Sequence, residues 1–219
     1  MPIASIQQTM RRLFVICTIL ATLAGTMVTY AQNAKPFVIP ELKEWKGAEG
    51  QLSPSGRIIA ELPCADVANA LAEDYNAMFG KHLTVIPKAK AQKGDIVLKL
   101  ASKKKNDNPE NYTVNIGDNI EVTSTSTKGL YWATRTLLQI AEATDGTSLP
   151  KGTIKDCPDF GVRGFMIDCG RKYIPITYLE KLVRIMGYYK MNTLQIHLND
   201  NGFPKYFEKI GRASCRERV

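Results

Sequence analysis

Histidine is scarce: only His82 and His197 occur in 219 residues. Zinc centres draw on several His and Cys ligands at short spacings, and two isolated histidines with no Cys-x-x-Cys pattern give no reason to expect a metal site. The five cysteines are poorly arranged for a disulfide framework. Cys17 lies in an N-terminal apolar stretch and Cys215 in an atypical tail, which leaves Cys64, Cys157 and Cys169, an odd number. They are expected as small buried hydrophobes. No apolar run reaches the roughly 20 residues that span a bilayer. The longest, Leu13 to Val28, is interrupted by Thr18, Thr22, Gly25 and Thr26, so stable membrane insertion is not expected. Basic runs interleaved with aromatics, the footprint of a nucleic-acid surface, are also lacking. The net charge of +8 falls to +4 once Arg11, Arg12 and the charged tail are set aside. Lys103, Lys104 and Lys105 then form one run, in a polar loop without aromatics, and no nucleic-acid partner is expected.

What is present begins with an export pattern. Arg11 and Arg12 precede the apolar stretch, and Thr29-Tyr30-Ala31 offers a small residue for cleavage before Gln32. Residues 1–31 are expected to be a signal peptide, with the mature chain exported to a periplasm or beyond the cell.

Residues 32–157 read as a small α/β domain. Strands are expected over 57–62, 83–86 and 95–100, and Val67, Leu71, Tyr75 and Met78 recur at helical spacing before Gly80. A hairpin over 112–116 and 120–124 turns at Gly117-Asp118-Asn119. A second helix, about 128–143, buries Leu130, Ala133, Leu137 and Leu138, and its Tyr131 and Trp132 are expected in the core rather than stacked on sugar. Strands with two helices suggest a sheet covered on one side.

The character changes at Pro158. Val162 to Asp168 is a nearly continuous apolar strand of the kind buried on both faces in parallel sheets. Thr177 and Glu180 fit a capping box at the start of a helix lined by Leu179, Leu182, Val183 and Met186. Thr193 to Leu198 alternates as the next strand. Such a strand–helix–strand implies parallel pairing. Asp168 and Arg171, then Asn199, Asp200 and Asn201, collect beyond the carboxyl ends of the two strands, where ligands bind in parallel α/β folds.

Arg163-Gly164-Phe165-Met166-Ile167-Asp168-Cys169-Gly170-Arg171-Lys172-Tyr173, with Lys190-Met191-Asn192 and His197-Leu198-Asn199-Asp200-Asn201 after it, resembles the opening of the catalytic barrel of glycoside hydrolase family 20. The run Gly129 to Gln139 resembles part of the family's non-catalytic N-terminal domain. The fold class implied is α/β: a small α+β domain, then the first strand–helix–strand of a TIM (β/α)8 barrel in 158–210. Residues 211–219 lack apolar periodicity and are expected to be a non-native tail.

The resemblance implies a secreted hydrolase of terminal β-linked N-acetylhexosamine that needs no cofactor. The substrate's acetamido oxygen is the nucleophile, and an adjacent Asp-Glu pair assists. By the match, Arg163 binds ring hydroxyls through its guanidinium fork, and Asp200 belongs to the surroundings of the catalytic Glu. Asp168, Arg171 and His197 shape the barrel mouth, and a role for Asn201 stays open. An ion pair is the other reading of Arg163, and a loop or helix cap that of Asp200. No Asp-Glu pair occurs after the second strand, and the residues after Pro158 are too few for a barrel of ~250 residues. The sequence therefore predicts an inactive, poorly soluble fragment whose ligands are N-acetylhexosamine-terminated glycans; its oligomeric state is open. Two rival readings are a carbohydrate-binding or interaction module complete as written, and a related barrel enzyme with paired aspartates. The second expects an acidic residue and an aromatic-glycine run soon after the Arg-Gly, where Phe165-Met166-Ile167-Asp168 stands.

Overall fold

Apolar residues alternate along the hairpin at 112–124, and that alternation sets which way the main sheet faces. Tyr112, Val114 and Ile116 of β5 (Tyr112–Ile116) are buried, as are Ile120, Val122 and Ser124 of β6 (Ile120–Ser124), while the intervening side chains are more open. The computed structural model describes residues 32–102, 108–170 and 172–198. The expected signal peptide, the Lys103–Lys105 run, Arg171, Asp200 and the 211–219 tail lie outside the described residues.

Seven strands form one mixed sheet. β1 is Glu44–Leu52, β2 Arg57–Ala60, β3 Thr84–Ile86, β4 Ile96–Leu100 and β7 Leu149–Asp156. Their order is β1-β7-β5-β6-β4-β2-β3. The β3, β2, β4 and β6 side is parallel, whereas β5 pairs antiparallel with β6 and β7, and β7 with β1. Helices α1 (Ala65–Phe79) and α2 (Thr127–Glu142) bury apolar stripes over the sheet, Val67, Ala68, Leu71 and Tyr75 from α1 and Leu130, Ala133, Leu137 and Leu138 from α2. Gly80 takes the left-handed conformation (φ 64°) at the end of α1 and closes it. Ser126 caps α2 by accepting from the Gly129 N–H at 3.2 Å. Asp95, fully buried, accepts from Ser55 Oγ (2.7 Å), Gln92 N–H (2.7 Å) and Arg57 (2.8 Å), which ties β2 to the start of β4.

Several expectations need correction. β1 and β7 were not expected as strands. Their sequences carry Gly47, Gly50, Pro150 and Gly152 and are rich in charge, and β1 is interrupted by a register shift between Gly47 and Gln51. The strand expected over 57–62 stops at Ala60, and a 3-10 turn, Leu62–Cys64, leaves Leu62 exposed. Met78 is also more open than its place in the helical stripe suggested.

The last described elements are β8 (Gly164–Asp168), α3 (Ile176–Tyr188) and β9 (Thr193–His197), with β8 and β9 parallel as expected. The capping box does not form: α3 begins one residue before Thr177, behind Pro175, with no side-chain cap. Proline's fixed φ already suits a helix entrance. β8 has the apolar sequence of a strand buried on both faces, yet Phe165 and Met166 are 46% and 54% exposed, in keeping with the expected poor cover of two strands and one helix. A two-stranded sheet has too few neighbours to cover both sides. The described residues from Asn33 to Leu198 form one body, and the 158–198 segment packs on α2. Cys64, Cys157 and Cys169 are free thiols, Cys64 and Cys169 buried. Among the described residues no helix is long and apolar enough to cross a membrane.

Candidate functional site

The pairing of β8 with β9 brings Asp168 opposite His197 at the carboxyl edge. The chain turns there: Cys169 N–H donates to the His197 carbonyl (2.8 Å), and Gly170 N–H donates to Asp168 Oδ1 (2.9 Å). Both side chains are partly exposed, at the end of the strands where ligands bind in parallel α/β folds. Asp200, the other expected site residue, lies outside the described residues, as do Arg171, Asn199 and Asn201.

Arg163 is at the opposite edge. It precedes the first residue of β8, five residues or roughly 16 Å of strand from Asp168. Each of its three guanidinium nitrogens donates to protein. Nε reaches the Lys190 carbonyl (2.7 Å), Nη1 the Phe160 carbonyl (2.5 Å), and Nη2 the Glu110 carboxylate. The guanidinium also lies 5.4 Å from the Trp132 ring centre. The structure thus brings Arg163 into a buried ion pair and does not bring it together with the carboxyl-edge groups.

Burial pushes the Glu110 carboxyl up. The hydrogen bond and charge of Arg163, with Lys128 at 3.4 Å, outweigh it and hold Glu110 below the usual glutamate value. Trp132 Nε1 donates to the same carboxylate at 2.9 Å, so this tryptophan is a core residue, as expected. Nearby, Lys190 Nζ donates to Tyr112 Oη (2.8 Å) and to Asp156 Oδ2 (3.2 Å), and Tyr112 donates to Asp156. Burial lowers the Lys190 value, partly opposed by Asp156; burial and the Asp156 charge raise that of Tyr112. A 360 Å³ cleft opens beside these groups, lined among others by Trp132, Phe160, Tyr189 and Pro40. Sequence reasoning missed Glu110 and Asp156. A single carboxylate in a polar stretch carries no local signal of a partner tens of residues away.

Among the described residues no cluster of three or more His, Cys, Asp or Glu side chains could hold a metal ion. Nowhere in the sequence is an Asp followed directly by a Glu.

A helix-backed mixed sheet leading into a parallel strand–helix–strand defines an α/β protein, with Asp168 and His197 paired at the carboxyl end of the parallel strands. Residues 35–157 match the family description "Glycosyl hydrolase family 20, domain 2", and residues 160–212 match "Glycosyl hydrolase family 20, catalytic domain". The chain belongs to glycosyl hydrolase family 20. It is 38% identical over 84 residues to a β-hexosaminidase of Vibrio furnissii, covering 37% of this chain and 14% of the relative. It is also 38% identical over 88 residues to a β-hexosaminidase of Akkermansia muciniphila, covering 36% and 18%. A mutant Streptomyces plicatus β-hexosaminidase in complex with its product GlcNAc superposes with a TM-score of 0.65 at 24% identity, over 78% of this chain and 36% of that one. The chain thus spans about a third of that neighbour's length and less than a fifth of these two relatives.

Proposed function

We propose that this chain carries the front portion of an exported β-N-acetylhexosaminidase, which removes terminal β-linked N-acetylhexosamine by substrate-assisted, retaining catalysis. The observation that carries this reading is the match of consecutive segments to the two domains of one family, in the family's order. In this reading β8, α3 and β9 open a TIM barrel, and sugar meets the carboxyl edge of the strands. The N-terminal arginine pair and apolar stretch support export to a periplasm or beyond the cell.

The assignment of the arginine changes. Arg163 has its nitrogens committed to Glu110, Phe160 and Lys190. Arg171, three residues past the carboxyl end of β8 in the chain, is the arginine we assign to the sugar hydroxyls, with Asp200 next to the general acid. The general acid and its neighbouring Asp are not among these 219 residues, so the chain alone turns over no substrate. Incubating it with an aryl N-acetyl-β-glucosaminide tests this: no release of phenol above an Asp200→Ala control is expected, and release above it overturns the inactivity. Sequencing the reading frame downstream tests the enzyme assignment. An Asp-Glu pair on a later barrel strand supports it, and a frame without one overturns it.

A further inference from the structure

Two cations introduce the β8–β9 pair, and both end on carboxylates of the seven-stranded domain. Arg163, just before β8, pairs with Glu110, which precedes β5 by two residues. Lys190, three residues before β9, pairs with Asp156, the last residue of β7, at 3.2 Å. All four side chains are largely buried. The two attachments are also tied to each other. Arg163 Nε donates to the Lys190 carbonyl, Asn192 Nδ2 donates to the Gly161 carbonyl (2.8 Å), and Arg163 N–H donates to Asn192 Oδ1 (2.9 Å).

A third contact joins the helices. Gly187 of α3 approaches α2 so closely that a Cβ there would stand 2.6 Å from the Tyr131 hydroxyl. Further along α2, Gln139 Nε2 donates to the Tyr188 carbonyl (2.8 Å), and Tyr188 Oη donates to Glu142 (2.6 Å). Together with α1, whose Asp74 accepts from Arg135, and Ile39, which bonds to Gln139, these contacts account for a feature of α2 that the sheet alone does not: every residue from Gly129 to Ala141 except Tyr131 is buried, although a sheet covers only one side of a helix.

Among the described residues, little else holds the β8–β9 pair. Two strands are marginal on their own, and Phe165, Met166 and Ile196 are substantially exposed. We propose that the 32–157 domain presents a preformed docking surface whose partner is the strand–helix–strand 164–197 of the same chain, seated by two buried ionic sockets, Glu110 for Arg163 and Asp156 for Lys190. The surface orders the amino-terminal ends of β8 and β9 and thereby sets where their carboxyl ends stand. This holds independently of what the carboxyl edge binds.

Hydrogen exchange on the intact 219-residue chain tests it, because exchange reads local opening segment by segment. Glu110→Gln and Asp156→Asn each remove one charge and keep the side-chain shape. Gly187→Val leaves the sockets intact and wedges α3 away from α2. Each change is expected to speed exchange of the 164–168 and 193–197 amides about tenfold or more, with β5 and β6 within about twofold of the unaltered chain. Unchanged exchange at 164–168 and 193–197 in both carboxylate variants overturns the proposal. Equal acceleration across β5 and β6 also overturns it, since Glu110 and Asp156 would then be part of the domain's own core. The sugar reading can fail in its own assay while this result stands.

Discussion

The two sheets treat the same kind of residue differently. In the seven-stranded sheet Ile58, Val114, Ile120, Val122 and Ile154 have no measurable exposure. In the β8–β9 sheet, Phe165, Met166 and Ile196 remain between 39% and 54% exposed. Sequence hydrophobicity does not separate them; neighbours do. The first sheet has α1 and α2 across its inner face and strands on both sides of β5, β6 and β4. Among the described residues the second has one partner strand, the connecting helix α3 and a joint at its amino-terminal edge. An apolar strand states what it needs, and the rest of the chain decides whether that need is met.

That contrast can be broken most strongly in the first sheet's core. Leu138→Ala removes a fully buried side chain between α2 and the sheet and should cost about 3 kcal/mol. Denaturant titration followed by far-UV circular dichroism measures this, and a loss below about 1 kcal/mol would mean that the helix–sheet packing is not the main source of order.

Acid should come next, and it acts on both regions. Burial raises the carboxyls of Glu110 and Asp95. For Glu110 the bond and charge of Arg163 outweigh this; for Asp95 the bonds from Ser55, Gln92 and Arg57 do. Both therefore titrate below their ordinary values. A carboxyl held lower in the folded state contributes stability fully above its unfolded value and loses it as pH falls through the folded one. Thermal melts should fall steadily below about pH 4, and Glu110→Gln should flatten part of that slope. A slope unchanged by the substitution would remove Glu110 from the account.

Smaller effects sharpen the comparison. Ser126→Ala removes the cap of α2 and should cost about 1 kcal/mol; a loss no larger than that of an exposed-site control would assign the cap no role. In the second sheet Met166→Gln should change stability by less than about 0.5 kcal/mol and raise the soluble yield, because it reduces exposed apolar area. A destabilisation matching that of Leu138→Ala would show that β8 is covered after all.

How much of this was legible depends on how local each cause is. The hairpin at 112–124, both helices of the first domain and the parallel β8–β9 pair follow from period and short turns, and all are present. β1 and β7 escaped because their reasons are distant in sequence. Gly152 sits in β7 where a Cβ would stand 2.4 Å from the Trp45 ring of β1, a requirement no local pattern announces. The capping box failed in the other direction: Thr177 and Glu180 had the right types, but Pro175 opened the helix one residue early. Arg163 was recognisable as a motif residue, yet its partner Glu110 lies 53 residues earlier and gave no sign of itself. Asp168 and His197 were legible as a carboxyl edge because parallel pairing follows from the connection itself.

The joint also bears on chain continuity. Arg163 and Lys190 sit on either side of the connection that contains α3, and each has its own carboxylate in the first domain. A single backbone cut just ahead of α3 would leave β8 on one piece and α3 with β9 on the other, each still anchored. The nicked protein should migrate as one species under native conditions and as two only after denaturation, so the covalent link between β8 and α3 is dispensable for keeping them side by side.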